Sequence, residues 1–408
     1  MYIHANPFIF SNKKQHQQTM ATERKVTNHI SGWLTVYDDG FVDRTWTGPP
    51  QFKFMSDHVP PHDHFIDSVA TRDMLLDAVK PDLRVRVYLP EQPDTGKLPI
   101  ILHFHGGGFC ISQPDWLMYY NFYTRLARES KAIIISTYLR LAPEHRLPAA
   151  VEDGYSTLLW LRDVANDKTY DSQLSTKGDF NRVFLIGDST GGNIVHQLVK
   201  QTATENINLH PLRLAGAILI HPGFVRPVRS KSELEKPQSP MLTLDMLDKF
   251  LNMGLPEGST KDHPITCPMG EAVEEVDLPP YLLCVAEEDL MVATEMEFYD
   301  WMKKYEKEIE LLVSDGVGHS FYLNKMAVDV DPNTSEQTHK LVQRISQFGG
   351  DSLLIEFITH NHQSSSAMSS TIFPSLTTFF SGGGHHSSPH PTISPQPTNT
   401  LTKQNINA

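Results

Sequence analysis

Cysteine is nearly missing from this chain of 408 residues: Cys110, Cys267 and Cys284 are the only three, far apart and odd in number. That pattern excludes a disulfide framework, and none of the spacings is that of a zinc site. Positive charge is also scarce. The 35 lysines and arginines face 48 acidic residues, for a formal net charge of −13. A surface of that sign disfavours nucleic acid and anionic membrane as partners. No run approaches the ~18 apolar residues of a membrane span, and no basic start with an apolar core opens the chain as a secretory signal would. The expectation is a protein of the cytoplasm, with the nucleus as a second compartment. Hydrophobic periodicity is absent at both ends: residues 1–21 contain Gln, Asn and His with no apolar period, and residues 349–408 are rich in Ser, Thr, Pro, Gly and His with few charges. Such segments bury too little to offset the entropy of ordering, so both are read as disordered extensions of a single large domain over 22–348.

Within that domain, strands and helices alternate. Leu98–Phe104, Ala132–Tyr138, Val183–Ile186, Leu214–Ile220 and Tyr281–Ala286 are near-continuous apolar runs, the pattern of strands buried on both faces. Amphipathic helices are expected over Leu117–Arg128, Ala149–Val164, Ala293–Tyr305 and Thr338–Phe348, with a further strand over Ile309–Val313. The spacing predicts an α/β fold with a mostly parallel central sheet and helices on both faces. Ahead of it come a short helix over Glu23–Ile30 and a hairpin, Trp33–Tyr37 with Phe41–Trp46, turning at Asp38-Asp39-Gly40. A proline-rich loop over Gly48–His64 contains His58, His62 and His64, and two strands, Ala70–Leu76 and Leu83–Leu89, flank Asp77–Asp82. The rhythm breaks between His221 and Pro268, where Leu244–Met253 is the clear helix. An excursion there sits over the carboxyl ends of the strands and is read, with residues 22–66, as a small cap over a pocket.

Chemistry concentrates at three loops. The strand ending in Ile186 runs into Gly187-Asp188-Ser189-Thr190-Gly191, and a helix follows. Strand, Gly-x-Ser-x-Gly and helix together make a nucleophile elbow, in which only glycines fit two residues either side of the strained serine. The strand ending in Phe104 runs into His105-Gly106-Gly107-Gly108-Phe109. Consecutive glycines there leave backbone amides bare, as an oxyanion site requires. Asp289 follows a third strand, with Glu287 and Glu288 as rivals, and His319 lies in the glycine-flanked loop Asp315–Phe321. Ser189, Asp289 and His319 stand in the chain order of a triad built on such a sheet. The apolar residues Leu244, Leu247 and Phe250, with Phe109 and Asp188, are expected to line the substrate pocket. His103 and His105 are read as structural, and Asn333-Thr334-Ser335, a match to the glycosylation pattern, as part of a loop.

These stretches, with Tyr138-Leu139-Arg140-Leu141-Ala142-Pro143-Glu144-His145, resemble the hormone-sensitive-lipase-like group of α/β-hydrolases. Within it, the chain is most similar to the plant carboxylesterases. The resemblance implies Ser189, Asp289 and His319 as catalytic residues and backbone N–H groups of the Gly106–Gly108 run and of Thr190 as the oxyanion hole. It also implies an N-terminal helix and the 222–268 insertion as the cap, and neither metal nor cofactor. A small lipophilic ester is the expected substrate. Related scaffolds serve as gibberellin receptors, which lack the histidine, or as hydroxyisoflavanone dehydratases; His319 favours hydrolysis. Thr190 and Ala293 depart from the residues common in the group, the first expected to narrow the pocket and the second to loosen the Asp289 loop.

Overall fold

The computed structural model describes residues 24–76, 82–91, 96–167, 171–239, 241–270 and 276–348. The extensions 1–21 and 349–408, and the Asp77–Asp82 connection up to its last residue, lie outside the described residues. In chain order the strands are β1 (Val26–Ile30), β2 (Leu34–Tyr37), β3 (Val42–Asp43), β4 (His62–Ile66), β5 (Val69–Leu75), β6 (Arg84–Pro90), β7 (Leu98–Phe104), β8 (Ile133–Thr137), β9 (Gly178–Asp188), β10 (Leu214–Ile220), β11 (Tyr281–Ala286) and β12 (Ile309–Ser314). The helices are α1 (Leu117–Ser130), α2 (Ala149–Asn166), α3 (Ser172–Lys177), α4 (Thr190–Thr204), α5 (Lys231–Glu235), α6 (Leu244–Gly254), α7 (Val292–Lys304), α8 (Lys325–Val330) and α9 over 332–348.

Nine strands form one sheet in the order β12-β11-β10-β9-β7-β8-β6-β5-β4. From β12 to β8 neighbours run parallel, and β6, β5 and β4 extend the sheet antiparallel. Successive side chains of a strand point to opposite faces, so an unbroken apolar run supplies two cores at once. Val183 and Leu185 of β9 join Leu158 and Leu161 of α2 and Leu198 of α4 on one side. Phe184 and Ile186 join Phe122 and Leu126 of α1 and Leu341 and Ile345 of α9 on the other. Chain order reverses beside β9, which pairs with β7 on one edge and β10 on the other. In open α/β sheets that reversal opens a crevice at the strands' carboxyl ends, where ligands bind.

Several expectations are corrected. Where a helix is expected over Glu23–Ile30, the described residues from Arg24 on form none: Val26–Ile30 is a strand paired antiparallel with β2, Ile30 opposite Leu34, because tertiary pairing outweighs the weak local pattern. The proline-rich loop contains a 3-10 turn over Pro50–Ser56 and the start of strand β4, whose His62 Nε2 lies 3.0 Å from the Tyr120 hydroxyl. The Asn333-Thr334-Ser335 pattern opens α9, whose Thr334 N–H donates to the Asp331 carboxylate at 2.8 Å. Helices α3 and α8 are too short for periodicity to announce them. Among the described residues, no helix is long and apolar enough to cross a membrane.

Candidate active site

Ser189 occupies the step between β9 and α4 with φ 50° and ψ −125°, a region that L-residues avoid unless their surroundings impose it. The surroundings here are backbone. Ser189 N–H donates to Ile220 O at 2.9 Å, and Ser189 O accepts from Gly192 N–H at 2.9 Å and Gly223 N–H at 3.0 Å. A Cβ at Gly187 would stand 2.2 Å from Gly191 O, and one at Gly191 would stand 2.0 Å from Phe104 O. Both glycines are therefore obligatory, for the steric reason the motif suggests. The preceding Asp188 is buried and fully engaged. Its carboxylate meets His103 Nε2 at 3.1 Å and accepts from Tyr119 O–H at 3.0 Å and Gly106 N–H at 3.2 Å. His103, whose Nδ1 meets the Ser136 hydroxyl at 2.7 Å, is structural as expected, and burial pushes its pKa down despite Asp188.

Asp289 lies just past β11, buried, with Oδ2 2.6 Å from His319 Nδ1. Oδ1 accepts from Met291 N–H at 2.9 Å. Burial pushes the Asp289 pKa up, but the charge and hydrogen bond of His319, with help from His221 and the Met291 amide, hold it below the ordinary range. The two rival acids do other work. Glu287 accepts from Gly316 N–H at 2.9 Å, bracing the loop that carries His319, and Glu288 receives Lys236 Nζ at 3.1 Å. Ala293 leaves no slack, since the Ser232 hydroxyl donates to Leu290 O at 2.6 Å and accepts from Ala293 N–H at 3.1 Å. His221, Asp289 and His319 each bring one nitrogen or oxygen to within 4.8 Å of one another. As a metal site they fit poorly, because the one carboxylate among them has both oxygens engaged, Oδ2 with His319 Nδ1 and Oδ1 with Met291 N–H.

Ser189, Thr190, His319, Gly107 and Gly108 share one pocket, which with its mouth encloses about 680 Å³ of empty space. Gly107 and Gly108 turn with φ 100° and 61°. Among the described residues no acceptor is bound to either N–H, and Thr190 opens a helix, where N–H groups lack partners. The expected set is thus narrowed: Gly106 N–H is already spent on Asp188 and Tyr119. Asp188, Leu247 and Phe250 line this pocket, whereas Phe109 and Leu244 lie outside its lining. With φ 64°, Phe109 turns its ring against Gly254, and Leu244 packs on the core at the start of α6. Thr190 Oγ1 is occupied accepting Phe109 N–H at 3.3 Å.

A family model described as the α/β hydrolase fold matches residues 101–323. The chain belongs to that family. Among its relatives, a probable carboxylesterase 6 of Arabidopsis thaliana is 35% identical over 304 residues, covering 73% of this chain and 85% of that protein. Carboxylesterase 20 of the same plant is 30% identical, covering 69% and 86%. The crystal structure of a hyperthermophilic esterase from the archaeon Pyrobaculum calidifontis superposes with a TM-score of 0.56 at 26% identity, covering 68% of this chain and 84% of that one.

Beyond the α/β-hydrolase motifs, three features escaped the sequence. Trp33 reaches the pocket from the N-terminal hairpin, and Met241 and Leu242 reach it from the excursion; contacts over such separations leave no local pattern. His221, left-handed (φ 46°) and buried just past β10, sits beside His319 with ring centroids 5.8 Å apart. A polar residue ending an apolar strand, as Asp188 does, was the available signal. Glu295 in α7 is buried with neither oxygen bonded. Burial first, and the Asp289 charge second, push its carboxyl well above the ordinary range.

Proposed function

We propose that this enzyme, a carboxylic ester hydrolase, works through an acyl-enzyme on Ser189. The reading rests on one observation: a buried Asp289–His319 pair 2.6 Å apart whose imidazole opens into the same pocket as a serine held in an elbow. With Nδ1 held by Asp289, the remaining nitrogen of His319, Nε2, takes the Ser189 proton as the hydroxyl oxygen attacks the ester carbonyl. Carbonyl oxygen becomes oxyanion and is received by the N–H groups of Gly107, Gly108 and Thr190, aided by the positive end of α4. His319 then returns the proton to the leaving alcohol, and water repeats the sequence to free the acid.

Apolar walls from Trp33, Leu242, Leu247 and Phe250 favour a small lipophilic ester over a charged one. The hairpin and the 222–268 excursion act as the cap. Assay of the purified protein on short p-nitrophenyl esters is the direct test. Ser189→Ala is expected to lose at least ~10³-fold in kcat with an unchanged melting temperature. Equal turnover by the variant overturns the mechanism, and product formed only by water loss from a β-hydroxy ketone would point to a dehydratase.

A further inference from the structure

His221 does nothing in the scheme above, yet its position is tightly specified. Its N–H donates to Cys284 O at 2.8 Å, extending the register of β10 against β11 by one residue. The chain then turns left-handed, φ 46°, and the ring enters a space walled by His319, Phe321 and Tyr322 at centroid distances of 5.8, 5.7 and 5.9 Å. There Nδ1 accepts the backbone N–H of Ser320 at 3.0 Å. Ser320 is the residue after His319 and is itself left-handed, φ 55° and ψ 29°, a conformation unfavourable for a non-glycine residue unless something holds it. The hydrogen bond that its N–H gives to His221, with its carbonyl accepting Leu323 N–H at 3.0 Å, holds it.

An acceptor at Nδ1 fixes the tautomer. Neutral His221 carries its proton on Nε2, which is buried and bonded to nothing among the described residues. Protonation at Nδ1 would set N–H against N–H and break the contact. Asp289, His319 and Asp188 are the charged or titratable groups that act on this ring, and burial outweighs the favourable carboxylates, pushing its pKa down to about 4. At neutral pH it is a neutral acceptor.

We propose that His221 is a positioning residue: by accepting the Ser320 N–H it locks the turn carrying His319 and so keeps that imidazole on Asp289. This rests on the serine mechanism above. Among the described residues, the hydrogen bonds that tie this loop to other elements, Gly316 N–H to Glu287 and Glu288 N–H to Val317 O at 2.9 Å each and the Asn333 side-chain amide to Asp315 O at 3.0 Å, lie before His319. Beyond it, Phe321 N–H to Gly318 O and Leu323 N–H to Ser320 O close the turn on itself, so His221 supplies the tie to the sheet on the far side.

The test compares His221→Phe, which keeps a ring but has no acceptor, with His221→Asn, whose side-chain oxygen can accept the same N–H. Each is assayed on p-nitrophenyl acetate, and the low-field proton resonance of the His319 Nδ1–H is recorded by NMR. His221→Phe is expected to lower kcat about tenfold to a hundredfold, as a small misplacement of a reacting group does, with KM within about twofold. The low-field resonance should vanish or shift, and His221→Asn should recover part of both. If Phe prevents folding, His221→Leu makes the same comparison with Asn. Full kcat and an unmoved resonance in the acceptor-free variant, while Ser189→Ala is inactive, would overturn the proposal alone. Activity surviving in Ser189→Ala would overturn the serine mechanism first.

Discussion

Ser189 and Phe250 line the same pocket, but they are held there by different kinds of force. Ser189 is fixed by backbone: hydrogen bonds from main chain to main chain, and glycines whose missing side chains let strands and loops touch. Phe250 is fixed by side chains. It sits on α6, whose Thr243 N-cap accepts from Met246 N–H at 3.1 Å and whose apolar face packs downward. Around α6, Arg229 and Lys261 both bind Asp248, Lys249 donates to His29 O at 2.9 Å, and Arg146 donates to Asn252 O and Leu255 O at 2.7 and 2.8 Å. Backbone constraints are nearly all-or-none, whereas half-exposed ion pairs each contribute little and can be exchanged. The reacting floor of the pocket is therefore intolerant of change, and its roof is open to retuning.

The sharpest way to break that contrast is Gly191→Ala. Its new methyl would meet the Phe104 carbonyl, backbone against backbone, with nowhere to move. The variant should lose several kcal/mol of stability, on the order of the largest single-residue effects, and all measurable esterase activity. Folding and hydrolysis near wild-type level would show that the elbow is not backbone-locked.

A second test uses pH. The floor and the sheet beneath it hold neutral buried histidines: burial pushes His105 and His221 down to about 4 and His196 down to about 3. Below pH ~6.5 the unfolded chain binds protons that the folded chain refuses, so stability falls as pH drops from there towards 4. Each group contributes a slope of up to about 1.4 kcal/mol per pH unit across that window. The melting temperature should decline steeply between pH 6.5 and 4.5. Little change over that range would mean the histidines are solvated or rearranged.

The smallest effect sharpens the roof's side of the contrast. Phe250→Ala removes a ring that presses on Gly108, where a Cβ would lie 2.3 Å from the phenyl Cγ. Activity on acetate esters should fall only a few-fold, while the preference moves towards longer or bulkier acyl groups by about one to two orders of magnitude in kcat/KM, the scale of a few buried methylenes. An unchanged chain-length profile would remove Phe250 from the substrate's path.

Legibility followed the same division. Strands β10 and β11 begin and end where the apolar runs do, and the loops they feed contain the acid and the excursion. Ser189, Asp289 and His319 stand out in the sequence because glycine sterics and strand ends leave their mark locally, and the structure brings Asp289 and His319 to 2.6 Å and His319 and Ser189 into one pocket. Phe109 and Leu244 misled because hydrophobicity near a site does not report which way a side chain turns; a left-handed φ at Phe109 decided that. Strand β1 misled because its partner, β2, supplies what its own residues do not. Roof contributions such as Trp33 depend on packing between segments some 200 residues apart, and no window on the sequence contains both.

The Ser232 hydroxyl gives the excursion a seam. Residues 230–235 form a capped turn of helix, with Ser230 and Glu233 bonding reciprocally, and from it Ser232 grips the loop that carries Asp289. In modular terms, this first part of the excursion belongs to the catalytic floor, and the interchangeable piece begins only after Glu235. A chimera that took its roof from a relative by cutting at residue 222 would replace the acid's brace along with the pocket's ceiling. A cut placed between α5 and α6 would exchange the pocket's ceiling and leave the Asp289–His319 pair on its original footing.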